Sequence, residues 1–291
     1  MDLSIIIVNY KTKDLTLKTL ASVFAAQIPR GKVEVILVDN ASEDGTPEMV
    51  RKKFPKVKII NAVRNLGFAG GNNLGLRRGK GRYLLLLNSD TLIATDTLVK
   101  MVEFMDQHQN VGLSTCRVEL LNGRPDPASH RGFPTPWAAL TYFSGLEQLW
   151  PKSRLFGQYH QGWKQLQAAH EIDSPVGAFF FLRREALKQA GLLDENFFMY
   201  GEDIDLAFRI KKTGWKVMYT PFTKIIHLKG ASGINRPDKA IRLQTTRAFF
   251  EAMQLFYNKH YRRRYFFALR WLVFLGIKTL KLVKILKIKI S

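Results

Sequence analysis

Cysteine is almost missing from this chain: Cys116 is the single one in 291 residues, which excludes an intramolecular disulfide framework. Long apolar runs are missing too. The most apolar stretch, residues 265–277, has Arg270 inside it and forms about 20 Å of helix, whereas a spanning helix needs roughly 20 apolar residues and about 30 Å. The start, MDLSIIIVNYKTKD, has no basic region before its short apolar run and no small-residue cleavage site, so a reducing cytoplasm is the expected compartment. GxGxxG and GxxxxGK followed by Ser or Thr are both absent, which weakens dinucleotide and P-loop readings. Neither an internal repeat nor a low-complexity linker occurs.

Acidic residues are scarce. Lys and Arg number 45 against 24 Asp and Glu, giving a formal charge of +21 whose self-repulsion calls for a partner or a location that offsets it. Residues 241–291 hold twelve Lys and Arg against one acid, Glu251, so this tail carries +11 of the total. Its cations are interleaved with Phe266, Phe267, Leu269, Trp271, Leu272, Phe274 and Ile277, and that apolar surface favours an anionic membrane surface over nucleic acid. Lys278, Lys281, Lys284 and Lys287 recur every third residue, which gives no clean polar face, so packing of part of the tail on the catalytic domain or on a second subunit is the alternative.

Hydrophobic residues make up 46% of the chain, enough to cover a sizeable core. The first 117 residues alternate β-branched runs (3–8, 33–38, 57–60, 83–87 and 111–116) with helical patterns opening near Asp14, Thr46, Gly71 and Asp96. Such alternation predicts an α/β fold with a mostly parallel sheet, and the run LLLL (84–87) fits a strand covered on both faces. From Leu120 to about Ile172 the alternation stops in favour of Pro, Gly and aromatics, the composition of an irregular lid or substrate-binding insertion. Beyond it, strands are expected at 174–182 and 216–219 and helices at 185–190, 203–213 and 238–258.

Polar residues cluster where the strands end: Asn9 and Tyr10, then Asp39, Asn40 and Ser42, then Asn88, Ser89 and Asp90. In an open parallel sheet that edge is where ligands bind, although Asn, Asp and Ser are also ordinary turn and cap residues. Asp90 leaves an apolar strand and needs water, a partner or a cation, and hard oxygen ligands of this kind suit Mg²⁺ or Mn²⁺. The glycines of NLGFAGGNN (65–73) allow a ligand close to the backbone ahead of a helix. GEDID (201–205) holds three carboxylates, more than a helix cap needs. His227 follows an apolar strand-like segment and precedes Gly230, Ser232 and Gly233.

Taken together, VNY (8–10), VDNAS (38–42), NLGFAGGNN (65–73), LLLLNSD (84–90), GEDIDL (201–206) and HLKGAS (227–232) resemble family-two glycosyltransferases of the GT-A fold, closest to rhamnosyltransferase-like enzymes of bacterial surface polysaccharides. The resemblance covers roughly residues 1–257. It implies that Asp39 reads the pyrimidine imide, with Asn9 and Tyr10 at the base and Asn65, Gly67, Gly71, Asn88 and Ser89 along the donor. Asp90 matches the metal-binding last position of the DXD motif, with Asn88 replacing its first acid, and His227 matches a further ligand of Mg²⁺ or Mn²⁺. Asp203, in the Glu202-Asp203 pair, matches the general base, and Gly177 the floor of the acceptor site, with Arg131 of the insertion expected nearby. The implied organisation is a catalytic domain over 1–260 (a nucleotide-sugar half, 1–117, and an acceptor half, 118–260) and a membrane-associating tail over 261–291.

The implied reaction is inverting transfer from a dTDP-rhamnose or UDP-sugar type donor to a glycan or lipid-linked acceptor, by an enzyme peripheral on the inner face of the membrane. One base and one metal suffice for such a displacement. The alternatives are a sugar-phosphate nucleotidyltransferase and a non-enzymatic basic nucleic-acid-binding protein. Sugar-phosphate nucleotidyltransferases carry a Gly-rich, Arg-containing loop after the first strand, where this chain has NYKTKD (9–14), and no nucleic-acid-binding motif is recognisable.

Overall fold

The computed structural model describes residues 1–228 and 239–290, so Gly230, Ser232 and Gly233 lie outside the described residues. The N-terminal half alternates as expected: β1 (Leu3–Asn9), α1 (Lys13–Ala25), β2 (Val33–Asp39), α2 (Thr46–Lys53), β3 (Lys58–Asn61), α3 (Gly67–Arg78), β4 (Tyr83–Asn88), β5 (Thr91–Ile93), α4 (Thr97–Gln107) and β6 (Val111–Leu120). The second half holds α5 (Pro136–Phe143), α6 (Leu146–Leu149), β7 (His170–Glu171), β8 (Phe179–Arg183), α7 (Arg184–Ala190), α8 (Glu202–Lys212), β9 (Lys216–His227), α9 (Lys239–His260) and α10 (Phe267–Ile290).

Among the described residues the strands form one sheet in the order β3-β2-β1-β4-β8-β6-β9-β5, with β7 also on β9. β3, β2, β1, β4, β6 and β9 share one direction, and β8, β5 and β7 oppose it. Side chains alternate across a strand, so β1 sends Ile5 and Ile7 into one core and Ile6 into the other, and β4 divides Leu85 and Leu87 from Leu84 and Leu86 in the same way. Both faces are therefore covered, which is why LLLL carries no polar residue.

Several boundaries differ from the sequence reading. β9 runs to His227 instead of stopping at Tyr219, because the ladder with β6 jumps from Cys116–Thr220 to Arg117–Lys224. Pro221 sits in that irregularity, where its missing N–H costs no ladder bond. β8 starts at Phe179 rather than Ser174, since Ser174 pairs with Arg131 of the insertion instead. α3 opens at Gly67, four residues before Gly71. The insertion is less irregular than expected: Thr135 caps α5 by accepting a hydrogen bond from Ala138 N, with Pro136 at the first helical position.

α9 and α10 form an antiparallel hairpin around the turn at 261–266: Lys281 pairs with Glu251, and Lys239 Nζ donates to the carbonyl of Lys289. Val273 and Phe274 pack on an aromatic cluster with Phe256, Tyr257 and Tyr261, so one face of the tail is docked, as the alternative reading had it. Among the described residues no helix is long and apolar enough to cross a membrane.

Asp205 ties α8 to this hairpin. Its carboxylate, fully buried, accepts from His260 Nε2 at 2.7 Å and Arg209 Nε at 2.8 Å and lies 2.8 Å from Lys259 Nζ. Burial works against its charge, but these partners outweigh burial and lower its pKa to about 2. A folded pKa below the unfolded one gives stability that is present above about pH 4 and lost as the pH falls toward 2. Asp205→Asn should therefore cost about 2 kcal/mol at pH 7, and the gap to the parent should close on acidification. Equal denaturant midpoints at pH 7 would show that the cluster contributes nothing.

Candidate active site

The strand order reverses between β1 and β4, and the polar clusters meet there. The register pairs Asn9 with Asp39 and Val8 with Asn88, so three strand ends converge on one edge. Asn9 is fully buried. Its Nδ2 donates to Asp39 Oδ1 and to Ser42 Oγ, both at 2.8 Å, while its Oδ1 accepts from Thr12 and Thr16. Both ends of the amide are thus engaged by protein, and Asn9 holds the Asp39 carboxylate in place. Tyr10 is exposed at the mouth. Ser89 is held to α1 by a 3.0 Å contact with Thr12 Oγ1.

Asn40, buried beside them, donates to Asn65 Oδ1 at 2.9 Å and to the Gly67 carbonyl at 3.0 Å, and accepts from Leu66 N. Gly67 has φ +71°, and a Cβ there would meet the Phe198 carbonyl at 2.3 Å. At Gly71 a Cβ would meet Val8 at 2.9 Å. These two glycines were expected to admit a ligand, but protein contacts already account for them: one seats the 198 loop and the other lets α3 lie on β1. Backbone strain gathers at the same edge. Of five non-glycine residues with positive φ among the described residues, Lys11, Ala41 and Glu43 follow β1 and β2, and Tyr200 precedes α8.

Asp90 and His227, far apart in the chain, meet because β5 and β9 pair with Thr91 opposite His227. His227 Nε2 lies 3.3 Å from Asp90 Oδ1, and its Nδ1 lies 3.5 Å from Asp126 Oδ2, all three residues being buried. Burial disfavours the imidazolium, yet the nearby Asp126 and Asp90 carboxylates outweigh it and raise the His227 pKa. Asp126 was missed by the sequence reading. Its signal is Asp126-Pro127, a cap and first-turn pair, and its Oδ1 accepts from Ala128 N at 3.0 Å.

Among the described residues no group of three or more His, Cys, Asp or Glu side chains is arranged to hold an ion alone. Mg²⁺ and Mn²⁺ do not need one, since they take one or two carboxylates and complete their shell with water and substrate phosphate. The residues present fit that mode. Asp90 supplies a buried carboxylate, His227 an imidazole, and Asn88 Oδ1 is a buried oxygen with no hydrogen-bond partner among the described residues.

On the other side, α8 begins with Glu202 and Asp203. Asp203 Oδ2 accepts from Arg131 Nη2 at 2.6 Å, and the same nitrogen donates to the Pro175 carbonyl at 2.7 Å. Burial opposes the guanidinium charge and Asp203 more than offsets it, so Arg131 stays charged. Gly177 lies against Asp203: a Cβ there would sit 3.7 Å from the Asp203 Cβ. Burial, reinforced by the neighbouring Asp203, raises the Glu202 pKa well above the carboxylate range. Burial thus disfavours a charge on Glu202, whereas Asp203 has the Arg131 guanidinium as its partner.

Residues 2–255 match the family described as Glycosyltransferase like family 2. The chain is 27% identical over 215 residues to the N-acetylglucosaminyl-diphospho-decaprenol L-rhamnosyltransferase of Mycobacterium tuberculosis, covering 69% of this chain and 68% of that protein. In structure it is similar to the mannosyltransferase PcManGT from Pyrobaculum calidifontis in complex with GDP-Man and Mn²⁺, at 20% identity and a TM-score of 0.60, over 96% of this chain and 69% of that one. It is also similar to S. aureus TarS 1-349, at 18% identity and a TM-score of 0.58, over 88% of this chain but only 64% of that one. These two likenesses speak to the fold, and they bear out the expected α/β class with its mostly parallel sheet.

Proposed function

Because this chain belongs to the glycosyltransferase-like family 2, we propose that it transfers a sugar from a nucleoside diphosphate donor, of the dTDP-rhamnose or UDP-sugar type, to a hydroxyl of a glycan or lipid-linked acceptor in surface-polysaccharide synthesis. The observation that carries this reading is the 3.3 Å approach of His227 to Asp90 at the edge where Asp39 and Asn88 also end. That convergence supports a single site for the nucleobase, the diphosphate and a divalent ion.

Asp39, fixed by Asn9 and by the amide of Ser42 at 3.2 Å, presents an acceptor for the imide N–H of a pyrimidine. Asp90 and His227, with Asn88 Oδ1 nearby, would hold Mg²⁺ or Mn²⁺, whose contribution when bound is to stabilise the charge building on the leaving phosphate. Asp203 takes the proton of the acceptor hydroxyl as that oxygen bonds to the anomeric carbon. The bond from that carbon to the diphosphate breaks in the same step, on the opposite face, so the product is inverted. Arg131 orients Asp203, and burial of Glu202 disfavours a second negative charge beside it.

The test is a screen of purified protein against nucleotide sugars with Mg²⁺, Mn²⁺ or EDTA, reading binding and donor hydrolysis. Hydrolysis of one pyrimidine donor above the rest, lost in EDTA, is expected. No turnover of any donor with either metal would sink the proposal.

The tail supports a place on the inner face of a membrane. α10 exposes Phe267, Trp271, Leu275, Leu282 and Leu286 along its undocked side, and cations near an anionic surface contribute about 1 kcal/mol each. The full-length protein should co-sediment with vesicles containing phosphatidylglycerol at low salt and be partly released by high salt. Equal recovery with neutral vesicles, or none with either, would remove the membrane from the reading.

A further inference from the structure

Between α5, α9 and α10 lies a cavity of about 680 Å³, within the range of roughly 300–1,000 Å³ that houses small ligands. Its walls are mostly apolar: Leu140 and Phe143 come from α5, Phe249 and Met253 from α9, and Leu272 and Leu280 from α10, with tyrosine rings between them. Among the described residues that line it, the charged side chains are Arg131 and Asp203, the ion pair already described. The cavity is therefore a greasy channel with one polar end, and that end is the group assigned as the base.

Gly276 also lines it. A glycine inside a helix weakens that helix unless something needs it. Here φ is ordinary and a Cβ would meet nothing within 4 Å, so neither backbone conformation nor close packing accounts for this residue. What its missing side chain does is leave the channel open.

We propose that this channel takes the hydrocarbon chain of a lipid-phosphate-linked acceptor, delivering the acceptor's hydroxyl end to Asp203. The proposal rests on the reading of Asp203 as the acceptor-side base and narrows the acceptor from glycan or lipid-linked to lipid-linked. A free glycan needs hydrogen-bonding walls, and beyond the ion pair the polar groups here are the hydroxyls of Tyr142, Tyr159, Tyr200, Tyr257 and Tyr265 and the Trp137 indole, set in a lining that is mostly aliphatic and aromatic carbon. An amphiphile with one anionic, sugar-bearing end and a long apolar tail matches the gradient, with Arg131 supplying the positive charge a phosphate seeks. The channel is walled by the same helix that exposes Trp271 and Leu275 beside lysines, so a chain leaving a bilayer meets α10 first. α10 then acts as one wall of the acceptor site as well as a surface anchor.

The test is photolabelling of the full-length protein in detergent with benzophenone-tagged farnesyl diphosphate, followed by peptide mapping. Saturable labelling is expected within 136–143, 249–257 and 269–280, displaced by untagged farnesyl diphosphate roughly tenfold more effectively than by phosphatidylglycerol. Gly276→Trp should fill the channel and cut labelling roughly tenfold, with Tm and nucleotide-sugar hydrolysis unchanged. Leu272→Gln, at a side chain already 57% exposed, repeats the test should the tryptophan disturb packing, with roughly a fivefold loss expected. Labelling elsewhere, labelling undiminished in both variants, or equal displacement by phosphatidylglycerol would overturn the proposal. Hydrolysis read in the same samples separates the two ideas. Donor hydrolysis without channel labelling overturns the channel alone, whereas labelling without hydrolysis in the parent overturns the transfer reading and the occupant's role as acceptor.

Discussion

Asp203→Asn is expected to lower sugar transfer by about 10²–10⁴-fold while leaving donor and metal binding near the parent level, because it removes the proton acceptor and leaves the donor-side residues untouched. The asparagine keeps an oxygen for Ile204 N, which Asp203 Oδ1 now accepts at 2.8 Å, and a second polar atom close to Arg131. It does not keep the charge. Arg131 is buried, and stripping a buried ion of its partner typically costs about 3–5 kcal/mol, so loss of activity could arise from loss of fold. Pairing Asp203→Asn with Arg131→Met removes both charges and should recover most of the unfolding free energy without recovering transfer. Turnover close to that of the parent in the single variant would take the base role away from Asp203.

Asp90→Ala should weaken metal-supported donor binding on the order of 100-fold and leave metal-free nucleotide binding nearly intact, since ion and diphosphate affinities are linked through shared oxygens. The variant deletes the 3.3 Å partner of His227 but leaves Asp126 on the other ring nitrogen, so the imidazole keeps one anchor. The clearest readout is the rise in Tm produced by Mn²⁺ with a nucleoside diphosphate, which should shrink to the rise seen with nucleotide in EDTA. An undiminished Mn²⁺-dependent rise would show that the ion sits elsewhere. Asp126→Asn makes the contrast, because its effect on the ion passes through the histidine and should be several-fold smaller.

How much of this was legible in the sequence depends on whether a signal was local. β1, β2 and β4 announce themselves because both faces are buried, and their polar ends follow from where apolar runs stop. β9 was read short because Pro221 looks like a terminator until the bulge opposite β6 is known, and that bulge is a property of two strands. The helices of the insertion were hidden because α5 has no polar face, although Thr135-Pro136 marks its start. At the site, Asp90 stood out by its cost, whereas Asp126 looked like a turn residue and became part of the His227 environment only through tertiary pairing. Arg131 was expected near the acceptor, but its ion pair with Asp203 joins residues 72 apart in sequence. Asp205 was read together with Glu202 and Asp203, yet it is spent on holding α9, which no spacing within GEDID could reveal.

The pairing of β5 with β9 also sets the order in which this molecule can be made. β8 lies between β4 and β6, and β9 between β6 and β5, so a chain that has emerged only as far as β6 presents unfilled strand edges on both sides of two gaps in the sheet. Unfilled edges invite pairing with other chains, and long-range strand insertion is slow because the intervening loop must close first. Synthesis at about 5–20 residues per second leaves the nascent N-terminal half in that state for several seconds before residues 216–227 exist. A fragment ending near residue 117 should accordingly aggregate instead of folding as a small nucleotide-binding unit. The intact sheet, by contrast, closes over its last gap in the step that carries His227 to Asp90, so no ion site of this kind exists on an unfinished chain.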